Sequence, residues 1–181
     1  MISKSMQAID VTEKLSVSIG ETTEQITRLS YAAEINGVSQ QQLHKSLGKM
    51  LKGFGEAKVG IGTAKLALDS LGLSADELSE KSPAEAFSVL ADKIKDLPTQ
   101  ADKVATASQI FGRVGEKIVV LFDQGSKGIE ELGKKADRLG ASFSNIDAKA
   151  VTDANDAMLS ARAALGGIIT MMSVKLSPVI E

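Results

Sequence analysis

The stretch that decides the fold is residues 71–140, which read LGLSADELSEKSPAEAFSVLADKIKDLPTQADKVATASQIFGRVGEKIVVLFDQGSKGIEELGKKADRLG. Apolar residues recur there at spacings of three and four, which is the period of one helix face. One such face comprises Phe87, Leu90, Ala91, Ile94 and Leu97. A second comprises Ile129, Leu132, Ala136 and Leu139. Phe111 continues a third face, set by Val104 and Ala107, and is expected to anchor the core.

Helix boundaries are also marked in the sequence. A hydroxyl residue followed three positions later by an acid or amide can satisfy the free amides of a first helical turn. Such pairs are Thr22/Gln25, Ser39/Gln42, Ser74/Glu77, Ser82/Glu85, Thr99/Asp102 and Ser144/Asp147. Ser82 is the strongest start, because Pro83 then occupies the first helical position, where a missing N–H costs nothing. The predicted helix ends are Gly37, Gly72, Gly112, Gly125, Gly140 and Pro98.

The same periodicity extends upstream of this stretch. Predicted apolar faces there are Ile26, Leu29 and Ala33, then Leu43, Leu47, Met50, Leu51 and Phe54, then Ile61, Ala64, Leu68 and Leu71. The glycine-rich run 53–65 lacks the Gly-Lys-Ser/Thr and the preceding strand of a phosphate loop, and predicts a flexible break between helices. Residues 118–122, IVVLF, fit a buried strand or a short buried helix. The helix is favoured because no second strand is predicted nearby.

From Asp147 to about Ser177 the only turn signal is the pair Gly166 and Gly167, which predicts one long helix. Its apolar seam follows coiled-coil spacing at Val151, Ala154, Met158, Ala161, Leu165, Ile168 and Met172. This seam is expected to contact other helices of the domain or copies of the same chain. Residues 163–174 carry no charge, but as a helix they rise roughly 18 Å, short of a bilayer core of roughly 30 Å. A core or partner-facing helix is favoured there over a membrane-interacting one.

Composition limits the chemistry that the chain can perform. The 181 residues carry a net charge of −2, no cysteine and one histidine. Without a basic cluster, direct nucleic-acid binding is not expected. Disulfides, thiolate metal sites and cysteine nucleophiles are excluded. His44 is interpreted as a solvated surface side chain, and acidic pairs such as Glu130 and Glu131 as solvated helix charges. No catalytic residue, cofactor site or metal site is predicted.

Together these patterns predict an all-α protein, a bundle of short amphipathic helices followed by one long C-terminal helix. The predicted segments are N-terminal helical hairpins over residues 1–72, a motif block over residues 73–145 and the long helix over residues 146–181.

Several of these motifs, in their order, resemble those of a known family. They are Ser82-Pro83-Ala84-Glu85, then Ile110-Phe111-Gly112-Arg113, then Gly125 followed by Gly128-Ile129-Glu130-Glu131-Leu132. LSYAAEINGVSQQQL at residues 29–43 precedes them, and NDAMLSARAALGGI at residues 155–168 and Leu176-Ser177-Pro178 follow. In this order they resemble the tail-length tape-measure proteins of long-tailed bacteriophages and prophages.

The resemblance implies a structural, non-enzymatic role. In that family a long helical protein sets tail length during assembly and occupies the tail tube until DNA ejection. It implies partners in further copies of the chain, the tail tube protein and tail assembly chaperones. The implied location is the tube lumen of the virion tail, and the host cytoplasm before assembly.

A continuous helix of this length would span at most roughly 270 Å, which is short for a complete tape measure. The chain is therefore expected to be a fragment, an isolated domain or a truncated prophage remnant. The alternatives are a stand-alone helical interaction module and, third, a membrane-active helical protein.

Overall fold

The computed structural model describes residues 2–142 together with residues 153, 154, 156–158 and 160. Nine α-helices and one short 3-10 turn lie in residues 2–142, and the described chain contains no strand. The helices are α1 (Ile2–Ile19), α2 (Thr23–Ile35), α3 (Gln40–Lys58), α4 (Thr63–Leu71), α5 (Ala75–Ser79), α6 (Pro83–Lys95), α7 (Gln100–Phe111), α8 (Gly115–Phe122) and α9 (Gly125–Arg138). For these residues the predicted all-α class is confirmed.

Hydrogen bonds confirm five of the six predicted helix starts. In each, the hydroxyl of the residue before the helix accepts a bond from the backbone amide three positions later. These residues are Thr22, Ser39, Ser74, Ser82 and Thr99. At Ser39 and Ser82 the cap's own amide also donates to the side chain of the third helical residue, which completes a capping box. The sixth pair, Ser144 and Asp147, lies outside the described residues.

Three phenylalanines from three helices meet in the core. Phe87 of α6, Phe111 of α7 and Phe122 of α8 are each at most 2% exposed. Their ring centroids are 4.9, 5.5 and 5.7 Å apart in edge-to-face arrangements, a favourable geometry for aromatic pairs. Phe111 therefore anchors the core, as its position on the face of Val104 and Ala107 predicts.

The N-terminal helices and the motif block contribute to the same core. Helix α2 packs against α9, and α3 packs against α4, α5 and α7. Buried Ile26 and Phe54 come from the predicted segment 1–72, and buried Phe87 comes from the segment 73–145. The two segments thus share one core, while the boundary between them stays a prediction.

Residues 110–115 turn the chain between α7 and α8. Gly112 follows α7 with a φ of 76°, and a 3-10 turn over Gly112–Val114 leads into α8. A β-carbon on Gly115 would lie 2.5 Å from the carbonyl carbon of Ala107. Only glycine at position 115 allows the two helices to approach this closely.

Two ambiguous stretches have a clear structure. Residues 118–122, for which strand and helix were both considered, lie in α8, so the favoured buried helix is confirmed. The glycine-rich run 53–65 differs from its prediction, because α3 continues to Lys58 and the break is confined to residues 59–62. Gly53 belongs to the close crossing of α3 and α4, where an added β-carbon would lie 2.7 Å from that of Ala64.

Three smaller predictions were wrong. Ile61 and Leu139, both predicted on core faces, are 60% and 64% exposed. Each lies just outside a helix, where the helical period no longer determines the direction of the side chain. Gly125 does not end a helix but begins α9, since α8 ends at Phe122.

The predicted long helix over residues 146–181 falls mainly outside the described residues. Residues 153, 154, 156–158 and 160 are helical. The length and continuity of this helix stay predictions.

Candidate functional site

A cleft of about 650 Å³ lies between α2, α6 and α9. Its floor includes the buried apolar residues Leu29, Ala84 and Ile129. Its rim carries the polar and charged side chains of Gln25, Arg28, Lys81, Glu85, Asp92, Glu130 and Lys134. The three rim acids and three rim bases balance, so the rim has no net formal charge. An apolar floor with polar groups around it is the usual form of a binding site, and this cleft is the candidate site.

Asp92 of α6 fixes the first turn of α9. Its Oδ1 accepts a hydrogen bond of 2.8 Å from the backbone amide of Ser126. Gln124, which precedes α9, provides no side-chain cap, so the carboxylate satisfies an amide that otherwise lacks a partner. Gly125 makes room for this contact, because a β-carbon there would lie 2.5 Å from Asp92 Oδ1.

The surroundings of Asp92 keep it ionised. Burial raises the pKa of this carboxyl, but hydrogen bonds from the Ser126 backbone amide and hydroxyl, with the charges of Lys95 and Lys127, outweigh burial and hold it below 3.8. A carboxyl group with a lowered pKa is ionised at neutral pH and has no proton to donate. Asp92 therefore acts as a fixed hydrogen-bond acceptor at the cleft wall.

Arg28 joins α2 to the end of α9. Its Nε donates to Asp137 Oδ1 at 2.9 Å and its Nη2 lies 2.7 Å from Asp137 Oδ2, a two-point ion pair. Glu24 lies 2.8 Å from the same Nη2, and the Ser142 hydroxyl donates to Asp137 Oδ1 at 2.6 Å. The bond from Arg28, followed by that from Ser142, lowers the pKa of Asp137. The bond to Asp137 raises the pKa of Arg28.

Glu21 connects the junction of α1 and α2 to the start of α6. Its Oε2 accepts a hydrogen bond of 2.9 Å from the backbone amide of Ala84, and its Oε1 accepts one of 2.8 Å from that of Thr22. The first turn of α6 is thus capped by its own Ser82 and by a carboxylate from another element. A negative charge at this end of a helix is favourable, because the helix dipole is positive there.

Three of the side chains that line the cleft form local pairs. Lys134 lies 2.6 Å from Glu130, and the Ser88 hydroxyl donates to the carbonyl of Ala84 at 3.0 Å. Among the described residues no group of three or more histidine, cysteine or acidic side chains could hold a metal ion. That the chain is not an enzyme and binds no cofactor stays a prediction.

The predicted helix seam is described at two of its seven positions. Ala154 and Met158 are helical and exposed. The other five positions, Val151, Ala161, Leu165, Ile168 and Met172, lie outside the described residues. The seam as an interface therefore stays a prediction.

An exposed apolar group surrounds the turn between α3 and α4. Val59, Ile61 and Leu66 are 72%, 60% and 66% exposed. The sequence did not indicate this surface, because Ile61 was assigned to a core face. None of the described helices is both long and apolar enough to cross a membrane. The apolar residues 163–174 lie outside the described residues.

His44 is not the solvated side chain that the sequence predicted. Its Nε2 is buried, and no hydrogen-bond partner for it occurs in the described part of the chain. Burial lowers the pKa of the imidazole below 6.5. The prediction was wrong because its polar neighbours in the sequence, Gln41 and Lys45, suggested an exposed face. The contact of α3 with α1, seen one turn earlier at Gln40 and Thr12, was not foreseen.

The residues that shape the cleft were not predicted as a group. Asp92 and Ser126 are 34 residues apart, and Arg28 and Asp137 are 109 residues apart. One signal is present in the sequence: Gln124 is a poor cap, so the amides of the following helix need an acceptor from elsewhere.

Comparisons of the chain with protein-family models, with curated proteins and with solved structures gave no match.

Proposed function

We propose that this chain is a helical region of a tail tape-measure protein of a long-tailed bacteriophage or prophage. It contributes to setting tail length during assembly and occupies the tail tube until DNA ejection. The observation that carries the proposal is the ordered series of motifs between residues 29 and 178, which resemble those of that family.

The positions of the motifs support the proposal in one respect. Ser82 begins α6 with a capping box, residues 110–113 form the end of α7 and the turn after it, and Gly125 begins α9 against Asp92. These are the positions at which the chain changes direction around the phenylalanine core. Because the motifs lie at residues that determine the fold, their resemblance supports a fold shared with the family. The proposed role in tail assembly is inferred from the family and not from these positions.

The proposed role is structural and includes no catalysis or cofactor. Residues 146–181 form one long helix that associates with copies of the chain through the seam from Val151 to Met172. The tail tube protein and tail assembly chaperones are the further partners. With a net charge of −2, the chain makes no direct contact with nucleic acid, and any membrane contact of residues 163–174 is weak. The chain is located in the tail lumen, and in the host cytoplasm before assembly.

Purified tails of the phage that encodes the chain test this proposal. Mass spectrometry is expected to find peptides of residues 2–142 in intact tails and to lose them after DNA ejection. In-frame duplication of residues 23–138 is expected to lengthen the tail by at most about 1.5 Å per added residue. The matched control is Gly48→Ala, which keeps the length of the chain and should leave the tail unchanged. Peptides absent from assembled tails would overturn the proposal.

A stand-alone helical interaction module is the second candidate. The cleft between α2, α6 and α9 and the exposed group of Val59, Ile61 and Leu66 favour it, because exposed apolar groups often mark binding surfaces. In that case the chain would be missing from tails and would copurify with one defined partner.

A further inference from the structure

Between positions 9 and 19, helix α1 buries mainly polar side chains. Its buried residues between positions 9 and 19 are Asp10, Thr12 and Ser16. Its apolar residues Leu15 and Ile19 are only partly buried against the core. Because docking energy comes mainly from buried apolar area, residues 9–19 contribute little of it to the docking of α1.

His44 lies on the flank of α3 that meets α1. Residues four apart share one face of a helix, and Gln40, one turn before His44, donates a hydrogen bond to the Thr12 hydroxyl of α1. The buried Nε2 of His44 has no partner in the described part of the chain. A neutral imidazole can leave this nitrogen unprotonated, whereas an imidazolium carries an N–H there that needs an acceptor.

The charged groups on the elements around this flank do not account for the lowered pKa of His44, whose one cause is burial. Those of α1 after position 8 are Asp10, Glu13 and Lys14, with Asp10 and Lys14 paired at 2.9 Å. Those of α2 are Glu24, Arg28 and Glu34, with Glu24 and Arg28 paired at 2.8 Å. The nearest on α3 itself are Lys45 and Lys49, which repel a cation. Helix α5 meets α3 at Lys58, which pairs with Asp76 roughly 21 Å along the helix.

We propose that His44 is an acid-sensitive latch for α1: protonation of its buried Nε2 releases α1 from α3 while α2 to α9 stay folded. Burial, rather than any of the charges above, disfavours the imidazolium in the docked state. The docked state therefore binds fewer protons than the released state once the pH falls below 6.5. Docking is complete above that pH and weakens as the pH falls towards the pKa of the docked histidine. Each pH unit between the pKa values of the released and docked histidine raises the equilibrium constant for release by up to a further factor of about ten.

Two measurements test the latch on the intact chain. His44 is the only histidine, so its imidazole resonances in a proton NMR titration report it directly, with an expected midpoint below 6.5. Hydrogen–deuterium exchange at pH 7.5 and 5.5, corrected for intrinsic rates, should show protection lost in residues 9–19 at the lower pH and retained in α6 to α8. His44→Leu removes the titrating group and should keep α1 protected at both pH values. His44→Lys carries a positive charge at both pH values and should leave α1 unprotected from exchange at both.

Three results would overturn the proposal. They are a titration midpoint at or above 6.5, equal loss of α1 protection in His44→Leu, and uniform loss of protection across all the helices in the unmodified chain. If either variant fails to fold, the titration and the exchange pattern of the unmodified chain decide the matter alone.

Discussion

The carboxylate of Asp92 caps a helix to which it does not belong. It reaches the backbone amide of Ser126 across the contact between α6 and α9. The same bond places the first turn of α9 relative to α6, and so contributes to the width of the cleft. A single side chain therefore influences both the stability of the bundle and the shape of its candidate site.

Replacing Asp92 by alanine is expected to lower the free energy of unfolding by about 1 kcal/mol at pH 7, the usual loss when a helix cap is removed. Because the pKa of folded Asp92 lies below 3.8, its contribution is complete above that pH and is lost as the pH falls through the folded pKa. Urea unfolding at several pH values measures the difference between the two proteins. Asp96→Ala, an exposed acid one turn away, is the control and should change stability little. A difference that stays constant down to acid pH would contradict this account.

The contacts of single residues were predictable where both partners lie within one helical turn. Ser82 and the amide of Glu85 are three residues apart, so the pattern of residue types was sufficient to identify the cap. Arg28 and Asp137 meet only because α2 packs against α9, and no local pattern encodes that contact. The predicted exposure of His44 was wrong for the same reason, since its burial depends on how separate helices pack.

At the scale of helices, α7 and α8 cross with backbone against backbone at Gly115. Gly115→Ala is expected to destabilise the protein by about 3 kcal/mol or more, because the new β-carbon would meet the backbone of Ala107 and Ser108 at 2.5 Å and neither helix can yield locally. The measurement is the thermal midpoint followed by circular dichroism.

Gly48→Ala is the matched control within α3. A β-carbon at Gly48 would have nothing within 4 Å, so the higher helix propensity of alanine should stabilise the protein by up to about 1 kcal/mol. Thermal midpoints that move in the same direction in both variants would show that helix propensity, rather than the crossing at Gly115, controls stability.

Apolar periodicity predicted the helices well in their interiors and poorly at their ends. Leu68 and Ile94 are buried as their spacing predicts. Ile61 and Leu139 continue the same spacing by one step beyond a helix, where the backbone leaves the helical path and the side chains turn to solvent. The buried residues of α1 between positions 9 and 19 are Asp10, Thr12 and Ser16, which show no apolar period. Its place against α3 could therefore not be derived from the pattern of residues.

At the scale of the whole molecule, the proposed association between copies of the chain is tested through the predicted seam. Ala154 and Met158 of the predicted seam are exposed, as an interface in a free chain would be. Glutamates at Leu165 and Ile168 are expected to convert an oligomer to a monomer, because burying an unpaired charge in a helix interface is costly. Gel filtration coupled to light scattering measures the mass. If the unmodified chain is already a monomer at high concentration, the seam packs within the chain, and the prediction of self-association through it is wrong.

The ion pair between Arg28 and Asp137 also has a consequence for biosynthesis. Its partners are 109 residues apart, so α2 leaves the ribosome long before the helix that covers it. At roughly 5–20 residues per second, the delay is about 5–20 s. During that time α2 can pack against α1 and α3 but lacks its contact with α9. A message that ends before the codon of Gly125 would lack α9 altogether and leave the side of α2 that faces it permanently uncovered, and its product is expected to be bound by chaperones and degraded.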